Sequence, residues 1–123
     1  MAVRAGKFNA RKTIADGILF DSRKEAKRYL TLRKMEQAGE ISDLRTQVVY
    51  HLIPPQREPD RIGPKGGKIK GRLIERGVDY IADFVYVKDG QEIVEDVKGR
   101  RTPEYVIKRK LMRWVHSIGV TEI

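Results

Sequence analysis

The sequence predicts a mixed α/β domain in which a mixed β-sheet is flanked by helices, and three observations predict it. Two strand-like runs, residues 80–86 and 93–98, flank Lys88-Asp89-Gly90-Gln91, whose Asp-Gly pair favours a tight hairpin. Two helical patterns with capping residues stand before and after the strands. The resulting order is helix, strand, strand, strand, helix and a last short strand, with no internal repeat, and it fits a sheet covered by helices. At 123 residues, the chain has room for one core, so residues 1–123 form a single domain.

The first helix is predicted from Arg23 to Glu36. Asp21 or Ser22 can accept hydrogen bonds from the free amides of its first turn, and Gly39 suits a left-handed stop. Ala26, Tyr29, Leu30, Leu32, Arg33 and Met35 supply an approximate inward stripe, and Glu25 falls in the first turn. In residues 41–53, Val48, Tyr50 and Leu52 alternate with Val49, His51 and Ile53, which reads as a strand closed by Pro54-Pro55. From 56 to 76 the pattern dissolves into proline, glycine and basic residues, read as a flexible loop or a long hairpin tip. Strand character resumes over 73–87 and again over 92–98. Thr102-Pro103-Glu104 opens a second helix running to about Ser117, with proline at its first position, and Leu111, Trp114 and Val115 are read as core. A final strand is expected over 119–123.

Composition narrows the function. The chain has 26 Lys and Arg against 17 Asp and Glu, a net charge of +9, and a small domain so basic points to a polyanion, most often nucleic acid. There is no cysteine and there are only two histidines, so a metal would be held by carboxylates, carbonyls and water, which favours Mg²⁺ or Mn²⁺. Arg4, Lys7, Arg11 and Lys12 precede no apolar stretch, so the reading expects a cytoplasmic protein without a membrane partner.

The chemistry lies in the two strands around the Asp-Gly turn. In an extended run Asp96 and Lys98 project to one side, while Ile93, Glu95 and Val97 project to the other. Antiparallel pairing brings Asp83 towards Asp96. Two such carboxylates can hold a divalent cation against a scissile phosphate, and Lys98 can orient the attacking water or offset transition-state charge. Glu95 is the rival acid, but it lies on the wrong face.

Asp83, a hydrophobic strand, a tight turn and then Asp96-Val97-Lys98 resemble the active-site signature of the PD-(D/E)XK nuclease superfamily, with Ala82 at the nominal proline position. Phe20-Asp21-Ser22-Arg23-Lys24-Glu25, Gln47, Lys98-Gly99-Arg100, Tyr105 and Lys108 extend the resemblance to small phage and prophage endonucleases of the Holliday-junction-resolvase type, from about Lys7 to Trp114. The resemblance implies a restriction-endonuclease-like core, Mg²⁺ dependence and cleavage leaving a 5′-phosphate. It also implies that Glu25 joins Asp83 and Asp96 at the metal.

The reading is therefore a Mg²⁺-dependent endodeoxyribonuclease with Glu25, Asp83, Asp96 and Lys98 as catalytic residues and Gln47 and Tyr105 as accessory candidates. Lys65, Lys68, Lys70, Arg72, Arg100, Arg101 and Lys108 are the candidate DNA contacts among the basic residues, which also include Arg109, Lys110 and Arg113. A chain this small has little room for a separate sequence-reading domain, so branched or recombination-intermediate DNA is the expected substrate, and cutting two symmetric strands would need a homodimer. The alternatives are a sequence-specific nicking or restriction endonuclease and a noncatalytic nucleic-acid-binding protein. RNA has no motif in its favour.

Overall fold

The computed structural model describes residues 11–123, so Arg4 and Lys7 lie outside the described residues. An antiparallel hairpin, β1 (Thr13–Ala15) and β2 (Ile18–Phe20), comes first and was not expected from the sequence. Its signal was the Asp16-Gly17 pair, both at positive φ (55° and 77°), the backbone of a type I′ turn. Helix α1 (Arg23–Gln37) follows. Ser22 is extended and its hydroxyl accepts from the Glu25 N–H at 3.1 Å, and Gly39 takes the expected left-handed conformation (φ 78°).

Ala26, Tyr29 and Leu32 of α1 are buried and Met35 packs partly against them, but Leu30 is 45% exposed and Arg33 is not buried. The helix meets the sheet along a narrow line, and Leu30 and Arg33 each sit about 100° round from an inward residue (Tyr29, Leu32).

The central sheet has four strands in the order β10 (Thr121–Glu122), β9 (Gln91–Asp96), β8 (Val78–Lys88), β3 (Ser42–Ile53). β3, β8 and β9 are antiparallel neighbours and β10 runs parallel to β9, so the sheet is mixed, as expected. The β8–β9 turn is the Asp89-Gly90 hairpin, with both residues at positive φ. Helix α2 (Pro103–His116) has Thr102 as its N-cap and Pro103 at its start. Among the described residues, no helix is long and apolar enough to cross a membrane.

Each face of the sheet carries one helix. Phe20, Tyr29, Phe84 and Tyr86 form the α1 cluster, with Phe20 and Tyr29 ring centroids 5.0 Å apart. Tyr80, Ala82, Val85 and Val94 join Tyr105 and Met112 on the α2 side. In β9 the faces alternate strictly, Ile93 to α1 and Val94 to α2. In β8 they do not: Tyr80 and Ala82 face α2, whereas Phe84 and Tyr86 face α1. β3 changes phase opposite this point, Leu44 packing on the α1 side and Val48 on the α2 side. Both strands switch between the pairs Thr46↔Phe84 and Val48↔Ala82, so the register survives. Gln47 and Asp83 occupy the switch, and Gln47 has a φ of 53°.

Three of the residues read as core in α2 behave differently from one another. Leu111 packs partly, but Val115 is 46% exposed and Trp114 is 83% exposed. Tyr105 and Met112 set the inward direction, and Trp114, nine residues from Tyr105, points about 180° away.

Residues 56–76 form a paired arm, the long hairpin of the two sequence readings and not the flexible loop. β4 (Gln56–Arg57) pairs with β7 (Leu73–Glu75), and β5 (Arg61–Ile62) pairs with β6 (Lys68–Ile69). At the tip, the Gly66 N–H donates to the Gly63 carbonyl at 3.0 Å, with Pro64 and Lys65 as the central turn residues. Between the two ladders Gly71 donates to Asp60 Oδ1 at 2.8 Å, and a Cβ at Gly71 would stand 1.7 Å from the Glu58 carbonyl oxygen, so only glycine fits there.

Candidate active site

The β8–β9 ladder ends with Phe84 opposite Glu95, and Asp83 and Asp96, the next residue of each strand, both line the space beyond it. At that end of the sheet lies a cleft of about 400 Å³ whose walls include Glu25, Tyr80, Asp83, Asp96, Lys98, Tyr105 and Lys108. All four residues expected to be catalytic therefore meet in one cavity. The Lys98 ammonium stands 2.9 Å from Asp96 Oδ1 and 3.8 Å from the centre of the Tyr105 ring. Asp83 Oδ2 accepts from the Val97 N–H at 2.8 Å, which fixes the carboxyl across the strand gap.

Glu25 reaches the cleft because Ser22 starts α1 three residues earlier. Its carboxyl is 6% exposed and faces Asp83, so it does more than complement a helix N-terminus. Glu95 points the other way and is 1% exposed. Its two oxygens receive Arg28 at 2.9 and 2.6 Å, and it also accepts from the Tyr86 hydroxyl. It is a structural ion pair on the α1 face.

The electrostatics follow from the crowding. Burial raises the Asp83 carboxyl to about 8, the charge of Asp96 adds to this and Glu25 adds further, while the Val97 N–H opposes it. Burial also raises Glu25, against a hydrogen bond to Asp83. The folded state therefore holds a proton on Asp83 at pH values where the unfolded chain, with an ordinary value of 3.8, has lost it. The stabilisation from this difference is fully present below that ordinary value and is lost as pH rises through about 8. In EDTA, the denaturation midpoint is accordingly expected to fall between pH 5 and pH 9 in the native protein, and to fall less in Asp83→Asn.

Two accessory candidates are brought to the site. The Gln47 amide lies 3.5 Å from Asp83 Oδ1, delivered by the left-handed backbone at the face switch. Tyr105 is buried beneath Lys98 and its hydroxyl donates to Glu122 Oε2 at 2.7 Å, so its ring seats the lysine and is not free to stack on a nucleotide. Glu122 also takes Arg109 at 3.1 Å and Arg101 at 2.6 Å, and these hydrogen bonds, Arg101 foremost, hold its carboxyl down to about 2. Ile123 N–H donates to the Asp96 carbonyl at 3.0 Å, so β10 braces the strand that carries Asp96.

Tyr80, part of the strand-like run 80–86, donates its hydroxyl to Asp96 Oδ2 at 2.5 Å. Burial and this bond raise the Tyr80 phenol, so it stays a donor. No local pattern marks it, because its face depends on the phase switch at Asp83.

The basic candidates divide. Lys108 lines the cleft, 3.2 Å from Glu104. Lys65 is exposed at the arm's turn, Lys70 lies on the arm near Asp60, and Lys68 and Arg72 pair along the arm with Asp60 at 3.3 Å and Glu58 at 3.0 Å. Arg101 is committed to Glu122, and Arg100 is exposed.

Among the described residues no group of three or more His, Cys, Asp or Glu stands arranged to hold a metal ion. Asp96 instead satisfies its oxygens with Lys98 and Tyr80, and Asp83, its pKa raised, sheds its charge by keeping a proton. The donor chemistry nevertheless fits a hard cation, because carboxylate oxygens crowd together with no sulfur or imidazole among them.

No curated protein and no solved structure matches the chain. Residues 5–118 match the family described as "Protein of unknown function (DUF1064)", and the chain belongs to that family.

Proposed function

We propose that the cleft is the active site of a Mg²⁺-dependent endodeoxyribonuclease built on a restriction-endonuclease-like core, and that its substrate is branched or recombination-intermediate DNA. The observation that carries this reading is the convergence of Glu25, Asp83, Asp96 and Lys98 on one cavity, with Asp83 raised to about 8 by burial and its acidic neighbours. A fold gains no stability from crowded carboxylates. A cation site does.

Asp83 and Asp96, with Glu25 behind them, would hold Mg²⁺ or Mn²⁺. The bound cation neutralises charge on the scissile phosphate and makes water a better nucleophile at neutral pH. Lys98, seated on the Tyr105 ring, orients the attacking water and offsets charge on the phosphoryl oxygens, while Tyr80 keeps Asp96 in its rotamer. Water loses a proton to solvent as it adds to phosphorus, the bond to the 3′ oxygen breaks, and that oxygen takes a proton from solvent, leaving a 5′-phosphate and a 3′-hydroxyl. Lys108 lies where it can hold the substrate backbone, and the arm's Lys65, Lys68, Lys70 and Arg72 supply a positive surface beyond the cleft.

The test is cleavage of labelled four-way junction, flap, single-stranded and linear duplex DNA in Mg²⁺, Mn²⁺ or EDTA, with the native protein, Asp96→Ala and Lys98→Ala. Metal-dependent cutting of branched DNA, lost in both variants, is the expected result. Discrete cuts in linear duplex would make it a sequence-specific endonuclease. Tight, salt-sensitive binding without cutting in any metal would make it a binding protein.

A further inference from the structure

A second cavity, of about 590 Å³, lies beside the C-terminal half of α2 and is lined by Arg109, Lys110, Arg113, Trp114, Gly119 and Val120. Trp114 is the only tryptophan in the chain and is 83% exposed. A large aromatic ring in water at the wall of a cavity offers a flat apolar face to a ligand. Its surroundings indicate which one. Lys110 and Arg113 pair with no carboxylate among the described residues. The Arg113 guanidinium lies close over the Gly119 backbone, 2.7 Å from where a Cβ would stand, which places its charge at the cavity. Exposed cations around a flat π-surface match a phosphate backbone carrying unpaired bases. A second copy of the chain would instead bring one basic face against another.

We propose that this cavity binds a single-stranded segment of the DNA substrate, with a base stacked on Trp114 and adjacent phosphates held by Lys110 and Arg113. The proposal rests on the nuclease reading for its substrate class and deepens it, since the preferred DNA then carries an unpaired strand beside the cut. On α2, Trp114 lies about 9 Å along the axis from Lys108 and about 120° around it. Lys108 lines the cleft, so a strand leaving the active site can reach Trp114 by crossing the outer face of α2 within a handful of unpaired nucleotides.

Tryptophan emission, excited at the red edge beyond the absorption of the five tyrosines, reports this site alone, because the chain has one tryptophan. In EDTA, the native protein is titrated with oligothymidylate of about twelve nucleotides, the matching oligoribonucleotide and a blunt duplex of the same length. Saturable quenching by the single-stranded DNA and little by the duplex is expected. Anisotropy of the labelled oligothymidylate should show affinity weakened about fivefold or more in Trp114→Ala, and again in Lys110→Ala/Arg113→Ala, as loss of a stacked base and its phosphate contacts implies. All three side chains lie at the surface, and an unchanged thermal midpoint checks that the variants fold.

Binding that neither quenches the fluorescence nor weakens in Trp114→Ala overturns the proposal. So does tighter binding of the oligoribonucleotide, or a fluorescence change that follows protein concentration alone with a doubled mass by sedimentation, which would make the face a self-association surface. Cleavage plays no part in these readouts. Quenching with a chemically dead cleft would sink only the nuclease reading, and cleavage without quenching would sink only the stacking site.

Discussion

Asp83→Asn is expected to lower DNA cleavage in Mg²⁺ by about 10²–10³-fold or more while making the cation-free protein more resistant to heat at pH 8. The two effects have one origin. The carboxyl is raised to about 8 because burial and the charges of Asp96 and Glu25 disfavour its ionised form, and an amide removes that cost. Asparagine keeps an oxygen to accept the Val97 N–H, so the strand contact survives. A residue whose role was only structural would lose stability when altered. Thermal midpoints in EDTA and in Mg²⁺ read both effects, and the native protein is expected to gain stability from Mg²⁺ where the variant does not. A lower midpoint in EDTA with unchanged cleavage would return Asp83 to the structural residues.

Glu95→Ala is expected to do the reverse. It removes a carboxylate that is 1% exposed and leaves the Arg28 guanidinium and the Tyr86 hydroxyl without their acceptor. Breaking a buried pair from one side costs about 3–5 kcal/mol, so a fall in Tm of more than about 10 °C is expected. Assayed at low temperature, the molecules that remain folded should still cut, because Glu95 is held by Arg28 and Tyr86 and does not line the cleft. Denaturant titration with single-turnover cleavage separates stability from chemistry. A stable but inactive Glu95→Ala would move the acid from residue 96 to residue 95.

The opposite directions of Glu95 and Asp96 were legible in the sequence, because the alternation of β9 is local and unbroken. The Asp89-Gly90 turn was legible for the same reason, and with it the approach of Asp83 to Asp96. Ser22, Gly39, Thr102 and Pro103 marked the helix ends by their own side-chain and backbone preferences. The phase switch at Gln47 and Asp83 was not legible. It consists of two strands changing face together, one through a left-handed glutamine that no glycine announces, and it decides where Tyr80 and Gln47 point.

The long hairpin tip was one of two readings of residues 56–76, but its individual strands were hidden for a different reason. Its strands are mostly pairs of residues, too short for any alternation to register, and their pairing depends on contacts such as Gly71 with Asp60. The β1–β2 hairpin did carry a readable Asp16-Gly17 signal. Trp114 was misplaced by treating residue type as burial, although helical geometry puts it opposite Tyr105 and Met112. Its exposure then became the observation that distinguishes the outer face of α2 from an ordinary solvated helix.

Sharing of one divalent cation by Asp83 and Asp96 is read out by anomalous diffraction from crystals grown with saturating Mn²⁺. A peak about 2.1 Å from oxygens of both carboxylates is expected, with Glu25 close behind and the Lys98 ammonium displaced from Asp96. An empty cleft in which Lys98 still holds Asp96, or a cation bound only elsewhere on the protein, would contradict it.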